Sequence, residues 1–120
     1  RAIDLIVIHC SSTRENYALT EQALEASHRL IGFDGNGVYF YVRRDGRVLA
    51  TRPVSKVGAH VRGYNAHSIG ICYEGGLDRY GNPKDTRTEW QRHSLSVLVG
   101  KLLQEYPGTC VVGHRDLSPD

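Results

Sequence analysis

The sequence predicts a single α/β domain in which a central mixed β-sheet is flanked by helices. Three observations lead there. Short apolar runs rich in β-branched residues recur at residues 3–9, 68–73 and 109–114, each bounded by turn-formers. Between them lie two stretches with helical spacing, residues 19–31 and the segment that follows Thr86. A chain of 120 residues has room for one core of ordinary size, so residues 1–120 are expected to form one domain.

The elements follow in order. Ile3-Asp4-Leu5-Ile6-Val7-Ile8-His9 reads as a buried strand, and the polar residues 11–16 as a loop. The first helix covers 19–31 with Thr20 as N-cap and Ala23, Leu24, Leu30 and Ile31 near one face. Gly32 ends it, and Asp34-Gly35-Asn36-Gly37 is a strong loop signal. Strands at 38–43 and 47–51 flank Arg44-Asp45-Gly46, a hairpin turn. A long loop over 53–65 leads to the strand 68–73, stopped by Gly75-Gly76, and 77–85 is turn-rich. Thr86-Arg87-Thr88-Glu89 fits a capping box for the last long helix. Leu95, Leu98 and Leu102 give that helix its core stripe, with Trp90, Val97 and Leu103 widening the face. Pro107-Gly108 closes it before the final strand. No repeat, linker or low-complexity tract interrupts the pattern.

Composition narrows the function classes. The chain is 40% hydrophobic and 23% charged, and no run approaches the roughly 18 to 20 apolar residues of a membrane span, so no membrane partner is expected. A net charge of +2 without a basic stripe gives no nucleic-acid footprint, and mild positive charge suits an anionic polymer. The first residues are strand-like rather than a signal peptide, a pattern a processed precursor would share. Cys10, Cys72 and Cys110 form no C-x-x-C pair and are odd in number, which predicts free thiols. Strand alternation turns Cys10 away from the side His9 faces.

His9 and His114 close the first and last apolar runs. Adjacent strand ends can bring two imidazoles together, and neutral imidazole is a common zinc ligand. Most histidines are instead satisfied by hydrogen bonds, so the surrounding sequence has to decide.

Ile8-His9-Cys10-Ser11-Ser12-Thr13 resembles the first zinc-ligand motif of the zinc-dependent N-acetylmuramoyl-L-alanine amidases, the branch shared by phage lysozyme-type amidases and peptidoglycan recognition proteins. The resemblance continues through Arg44-Asp45-Gly46, Gly58-Ala59-His60-Val61-Arg62-Gly63-Tyr64-Asn65 and Ser68-Ile69-Gly70-Ile71, and ends with Gly113-His114-Arg115-Asp116-Leu117-Ser118-Pro119. These blocks stand in family order along nearly the whole chain. The resemblance implies an amidase-like α/β fold and hydrolysis of the amide joining N-acetylmuramic acid to L-alanine in peptidoglycan. It implies Zn2+ held by His9, His114 and a third ligand, a Cys or Asp, beyond Ser118-Pro119; a terminal Asp120 is the in-chain candidate, and the domain is expected to continue past it.

The remaining roles depart from the family pattern. Its tyrosine position falls on Val38, with Tyr39 one place along; a bulge at Gly35-Asn36-Gly37 would restore the aim of Tyr39 as catalytic group. A related branch places a glutamate base where Cys72 stands, which leaves Glu74, two residues on, as the alternative. His60 and Asn65 fall in the block that borders the substrate groove, and Arg62 is placed to meet stem-peptide carboxylates. His28, His67 and His93 match no ligand motif, and His28 and His93 are expected to be exposed on helices. The expected protein is a monomer acting on the cell wall, as a phage-encoded, periplasmic or secreted enzyme. The rival from another class is a non-catalytic peptidoglycan-binding module of the same fold.

Overall fold

Alternating apolar residues order the chain around a five-stranded sheet in the computed structural model, which describes residues 1–32 and 35–117. The elements are β1 (Leu5–Cys10), β2 (Thr13–Arg14), α1 (Glu21–Leu30), β3 (Phe40–Val42), β4 (Val48–Ala50), β5 (Ser68–Tyr73), β6 (Gly76–Leu77), α2 (Glu89–Glu105), β7 (Cys110–Gly113) and a short α3 (His114–Leu117). The main sheet runs β4-β3-β5-β1-β7. β1 is parallel to both β5 and β7, β3 is parallel to β5, and only the β3–β4 hairpin is antiparallel. This is the mixed sheet the sequence predicts.

Period-2 alternation sends the strands' side chains to two cores. Ile6, Ile69, Ile71 and Val42 pack with Leu95 and Leu102 of α2. Cys72 and Tyr41 pack with Val38 and with Leu24 of α1 on the other side. Each fully buried Leu or Ile contributes about 1.5–3 kcal/mol, so these two seams hold the helices to the sheet.

Several boundaries differ from the sequence reading, each for a local reason. α2 starts at Glu89 because Thr88, not Thr86, is its N-cap: Thr88 Oγ1 accepts from Gln91 N (3.1 Å) and Gln91 Oε1 accepts from Thr88 N (3.0 Å). The Thr86 hydroxyl instead accepts from Gly76 N (2.8 Å). Its core stripe runs through Gln91, Leu95, Leu98 and Leu102; Trp90 and Val97 lie more than about 100° around the helix from it and stay outside, as does Leu103. In α1 only Leu24 is buried, while Leu30 and Ile31 are 88% and 69% exposed. Leu30 sits about 120° around the helix from Leu24, and Ile31 has already left it as the C-cap. The polar loop 11–16 contributes β2, which pairs in parallel with β6 as Thr13↔Gly76. The cysteines are free, as expected, with Cys72 buried. Among the described residues no helix is long and apolar enough to cross a membrane. Of the predicted loop and final motif, Asp34, Ser118, Pro119 and Asp120 lie outside the described residues.

Candidate active site

Parallel pairing brings the two distant histidines together. Ile8 is level with Gly113 across β1–β7, so the next residue on each strand, His9 and His114, stands at the carboxyl edge of the sheet. That edge is where parallel α/β sheets assemble their sites. The His9 and His114 ring centroids are 4.7 Å apart with planes tilted by 40°. The turn carrying His114 is fixed by Asp116, whose Oδ2 accepts from Gly113 N (2.9 Å).

A third imidazole joins from the loop before β5. His60 Nδ1 lies 2.9 Å from His9 Nε2, and its other nitrogen lies 3.0 Å from Ser68 Oγ. The ring rests on Gly70, where an added Cβ would come within 2.7 Å of His60 Cγ. Asn65 brackets the loop below it: Asn65 Oδ1 accepts from the backbone N–H of His60 and of Val61, both at 2.9 Å.

Burial sets the charge of this cluster. It lowers the His9 pKa to about 3, assisted by His60 and His114, and the His60 pKa to about 4, assisted by Arg1 and His114. Both rings are therefore neutral at pH 7 and keep a lone pair. His9 borders two hollows, and His60 the smaller of them. A groove of about 940 Å³ runs past His9, Tyr73, Arg87, His114 and Arg115. A smaller recess of about 260 Å³ lies behind His9, walled by Leu24, His28, Val38, His60 and Cys72.

Two facing imidazoles suit a borderline metal ion such as zinc. His9 Nδ1 and both nitrogens of His114 have no hydrogen-bond partner among the described residues. No group of three His, Cys, Asp or Glu able to hold a metal occurs among those residues. The donor set thus fits a metal at two positions, and the expected third ligand falls past Leu117.

The other candidate residues take different places. Tyr39 is fully buried in the α2-side core; its hydroxyl donates to Lys56 O (2.6 Å) and meets the Arg1 guanidinium. Val38, one residue earlier, faces the recess behind His9 instead. Adjacent side chains part to opposite faces, and the glycine-rich entry does not bring the Tyr39 hydroxyl to the histidine pair. Glu74 is not a solvated strand end: its side chain is 2% exposed. It accepts from Arg43 Nε (2.7 Å), Leu19 N (2.8 Å), Arg44 N (3.1 Å) and Arg44 Nη1 (3.2 Å). Burial pushes its pKa up, but the Arg43 bond and the two backbone N–H donors outweigh burial and hold it below the usual carboxylate range. Arg62 is exposed on the His60 loop.

Two residues of the site had no role assigned from the sequence. His28 is half-buried rather than exposed, accepts from Gly37 N (2.9 Å) and walls the recess; its position toward the end of α1 gave no sign of this. Ser68, fully buried, looked like an ordinary first strand residue. His93 is exposed as expected, and His67 pairs with Asp4 at 2.6 Å.

A mixed sheet with histidines gathered at the carboxyl edge of its parallel strands, above an open groove, defines a hydrolase-type site on an α/β frame. The chain belongs to the N-acetylmuramoyl-L-alanine amidase family, whose model matches residues 1–120. It is 37% identical over 112 residues to the endolysin of Enterobacteria phage K11, spanning 93% of this chain and 74% of that one. The N-acetylmuramoyl-L-alanine amidase LysC from Clostridium intestinale URNW has a TM-score of 0.87 at 30% identity, over 98% of this chain and 74% of that one. The ectodomain complex of peptidoglycan recognition proteins LCa and LCx, bound to tracheal cytotoxin, has a TM-score of 0.80 at 26% identity, over 98% of this chain and 74% of that one. The family and the fold class expected from the sequence both stand.

Proposed function

We infer that this chain is a peptidoglycan amidase that hydrolyses the bond between the lactyl group of N-acetylmuramic acid and L-alanine, with a zinc ion held by His9 and His114. The observation that carries the reading is the pair of imidazoles 4.7 Å apart on the wall of a groove of about 940 Å³, in a chain of this family. Zinc bound there would lower the pKa of a water toward about 7 and polarise the scissile carbonyl. A third donor is assigned to the residues after Leu117.

The chain's own groups shape what reaches that point. Arg115, exposed on the groove wall, and Arg62, exposed on the His60 loop, are assigned to the stem peptide's carboxylates. Asn65 builds the His60 loop with its side-chain carbonyl and is assigned there rather than to the substrate. Tyr39 and Glu74 have their oxygens bonded elsewhere, so both are assigned to the frame of the site and not to proton transfer. The working form is taken as a monomer acting on the cell wall, without nucleic-acid or membrane partners; a net charge of +2 without a basic stripe supports the absence of a nucleic-acid partner.

The test uses purified full-length protein. Zinc content by elemental analysis should be about one per chain, and should fall in both His9→Ala and His114→Ala. Incubation with peptidoglycan should release new L-alanine amino groups without new reducing sugar ends, which separates amide cleavage from glycoside cleavage. Equal zinc in wild type and both variants would refute the metal assignment. Binding without release of amino groups would make the chain a recognition module.

A further inference from the structure

We propose that His60 is a positioning residue which, anchored by Ser68, holds His9 in the tautomer that can bind a metal. The inference rests on the assignment of His9 as a zinc ligand and adds what keeps that ligand competent.

The three groups form a chain, Ser68 Oγ to His60 Nε2 at 3.0 Å and His60 Nδ1 to His9 Nε2 at 2.9 Å. A neutral imidazole carries one N–H and one lone pair, so His60 must donate at one nitrogen and accept at the other. The chain therefore has only two directions. In one, His9 donates its Nε2–H to His60 Nδ1 and His60 donates its Nε2–H to Ser68 Oγ; His9 Nδ1 is then a bare lone pair. In the other, Ser68 donates to His60, His60 donates to His9, and His9 must carry its proton on Nδ1.

That second arrangement puts a proton on the one ring nitrogen of His9 left for a metal, with no protein acceptor for it among the described residues. The first leaves only an unpartnered lone pair on the nitrogen remaining to His9. Metal-binding histidines commonly have their second nitrogen fixed by such an outer partner. Here the partner is itself rigid. Gly70 gives its ring a floor that a Cβ would obstruct, Asn65 pins its backbone, and the two rings meet edge-to-face at 5.0 Å and 82°. His60 belongs to the first partner layer of the ligand rather than to the outer groove.

The experiment measures zinc affinity by chelator competition in wild type, His9→Ala, His60→Leu, His60→Asn and Ser68→Ala, alongside the urea midpoint of each to confirm folding. His60→Leu fills the space without an acceptor and should weaken zinc binding about 10- to 100-fold, the usual cost of losing such a partner. His60→Asn places a carbonyl oxygen where Nδ1 was and should recover at least half of that loss on a logarithmic scale, which a packing role would not. In zinc-free wild type, 15N–1H correlation of the His9 ring should place its proton on Nε2. A folded His60→Leu that binds zinc within about twofold of wild type would overturn the proposal, against the expected scale, while loss of zinc in His9→Ala would leave the ligand assignment intact. A proton on Nδ1 of His9 in wild type would overturn it outright. Undiminished zinc in His9→Ala would refute the underlying assignment instead.

Discussion

Replacing Glu74 with glutamine tests whether this carboxylate belongs to the frame or to the chemistry. Its side chain is 2% exposed and faces two guanidinium groups that are themselves only 13% and 23% exposed. Five donor contacts end on its two oxygens: Arg43 Nε, Arg43 Nη2, Arg44 N, Arg44 Nη1 and Leu19 N. Arg44 in turn reaches the carbonyls of Arg14 and Tyr17, so Glu74 anchors β2 and the approach to α1 to the hairpin. Removing one partner of a buried ion pair strands the other charge and costs about 3–5 kcal/mol; glutamine keeps one acceptor oxygen, so the lower end, about 3 kcal/mol, is expected. With a urea m-value of about 1.5 kcal/mol/M, the midpoint should drop by about 2 M at unchanged m.

The pH dependence follows from the sign of the shift. Glu74 holds a pKa below its ordinary 4.5, so the unfolded chain binds its proton more readily. Its stabilisation is complete above about pH 4.5 and is lost as pH falls through the lowered folded value. The gap between wild type and Glu74→Gln should therefore be widest at neutral pH and close in acid. Turnover per folded molecule should stay within a few-fold, whereas a lost general base would cost about 10²–10⁴-fold. A midpoint shift below about 0.5 M, or a full catalytic collapse in folded protein, would refute the reasoning.

Two further substitutions probe the site's supports. Tyr39→Phe removes a hydroxyl bonded to Lys56 O and should cost about 1 kcal/mol in urea unfolding with less than a tenfold change in turnover; a drop of about 10²-fold would restore it as a proton-transfer group. Gly70→Ala puts a methyl group 2.7 Å from the His60 ring, so it should destabilise by about 1–3 kcal/mol and weaken zinc binding together; zinc affinity equal to wild type would show that the His60 ring moves without consequence.

The fold was largely legible because its strands are short apolar runs with turn residues at their ends, and β5 spans Ser68–Tyr73 as the pattern predicts. The histidine pair was legible for the same reason, since each closes such a run. What was not legible depends on three-dimensional register. Thr86 and Thr88 both offer a plausible cap, and only docking on Arg44 O, which accepts from Thr88 Oγ1 (2.6 Å), selects the second. The partner strand of the two-residue β2 supplies its pairing, so its own sequence shows no period. Glu74, two residues from Cys72, does reach the side where Leu19 packs with Cys72, but its carboxylate is engaged there by Leu19 N and by the arginines of the hairpin. Ser68 and Gly70 stand in the Ser68-Ile69-Gly70-Ile71 block, but their part in the site depends on the His60 ring that rests on them.

The placement of the pair also bears on why His9 is neutral. His9 rises from β1, which has parallel neighbours on both sides, whereas His114 follows β7 at the sheet's edge, where Cys110 and Val111 are exposed. Both rings border the groove, and His9 also borders the smaller recess behind it. A protonated His9 would repel both its neighbours and any incoming cation; burial that holds its pKa near 3 removes that repulsion at physiological pH. The arrangement is intelligible as a seat for a Lewis acid at the groove wall, with the hydrogen bond to His60 carried inward, away from the substrate.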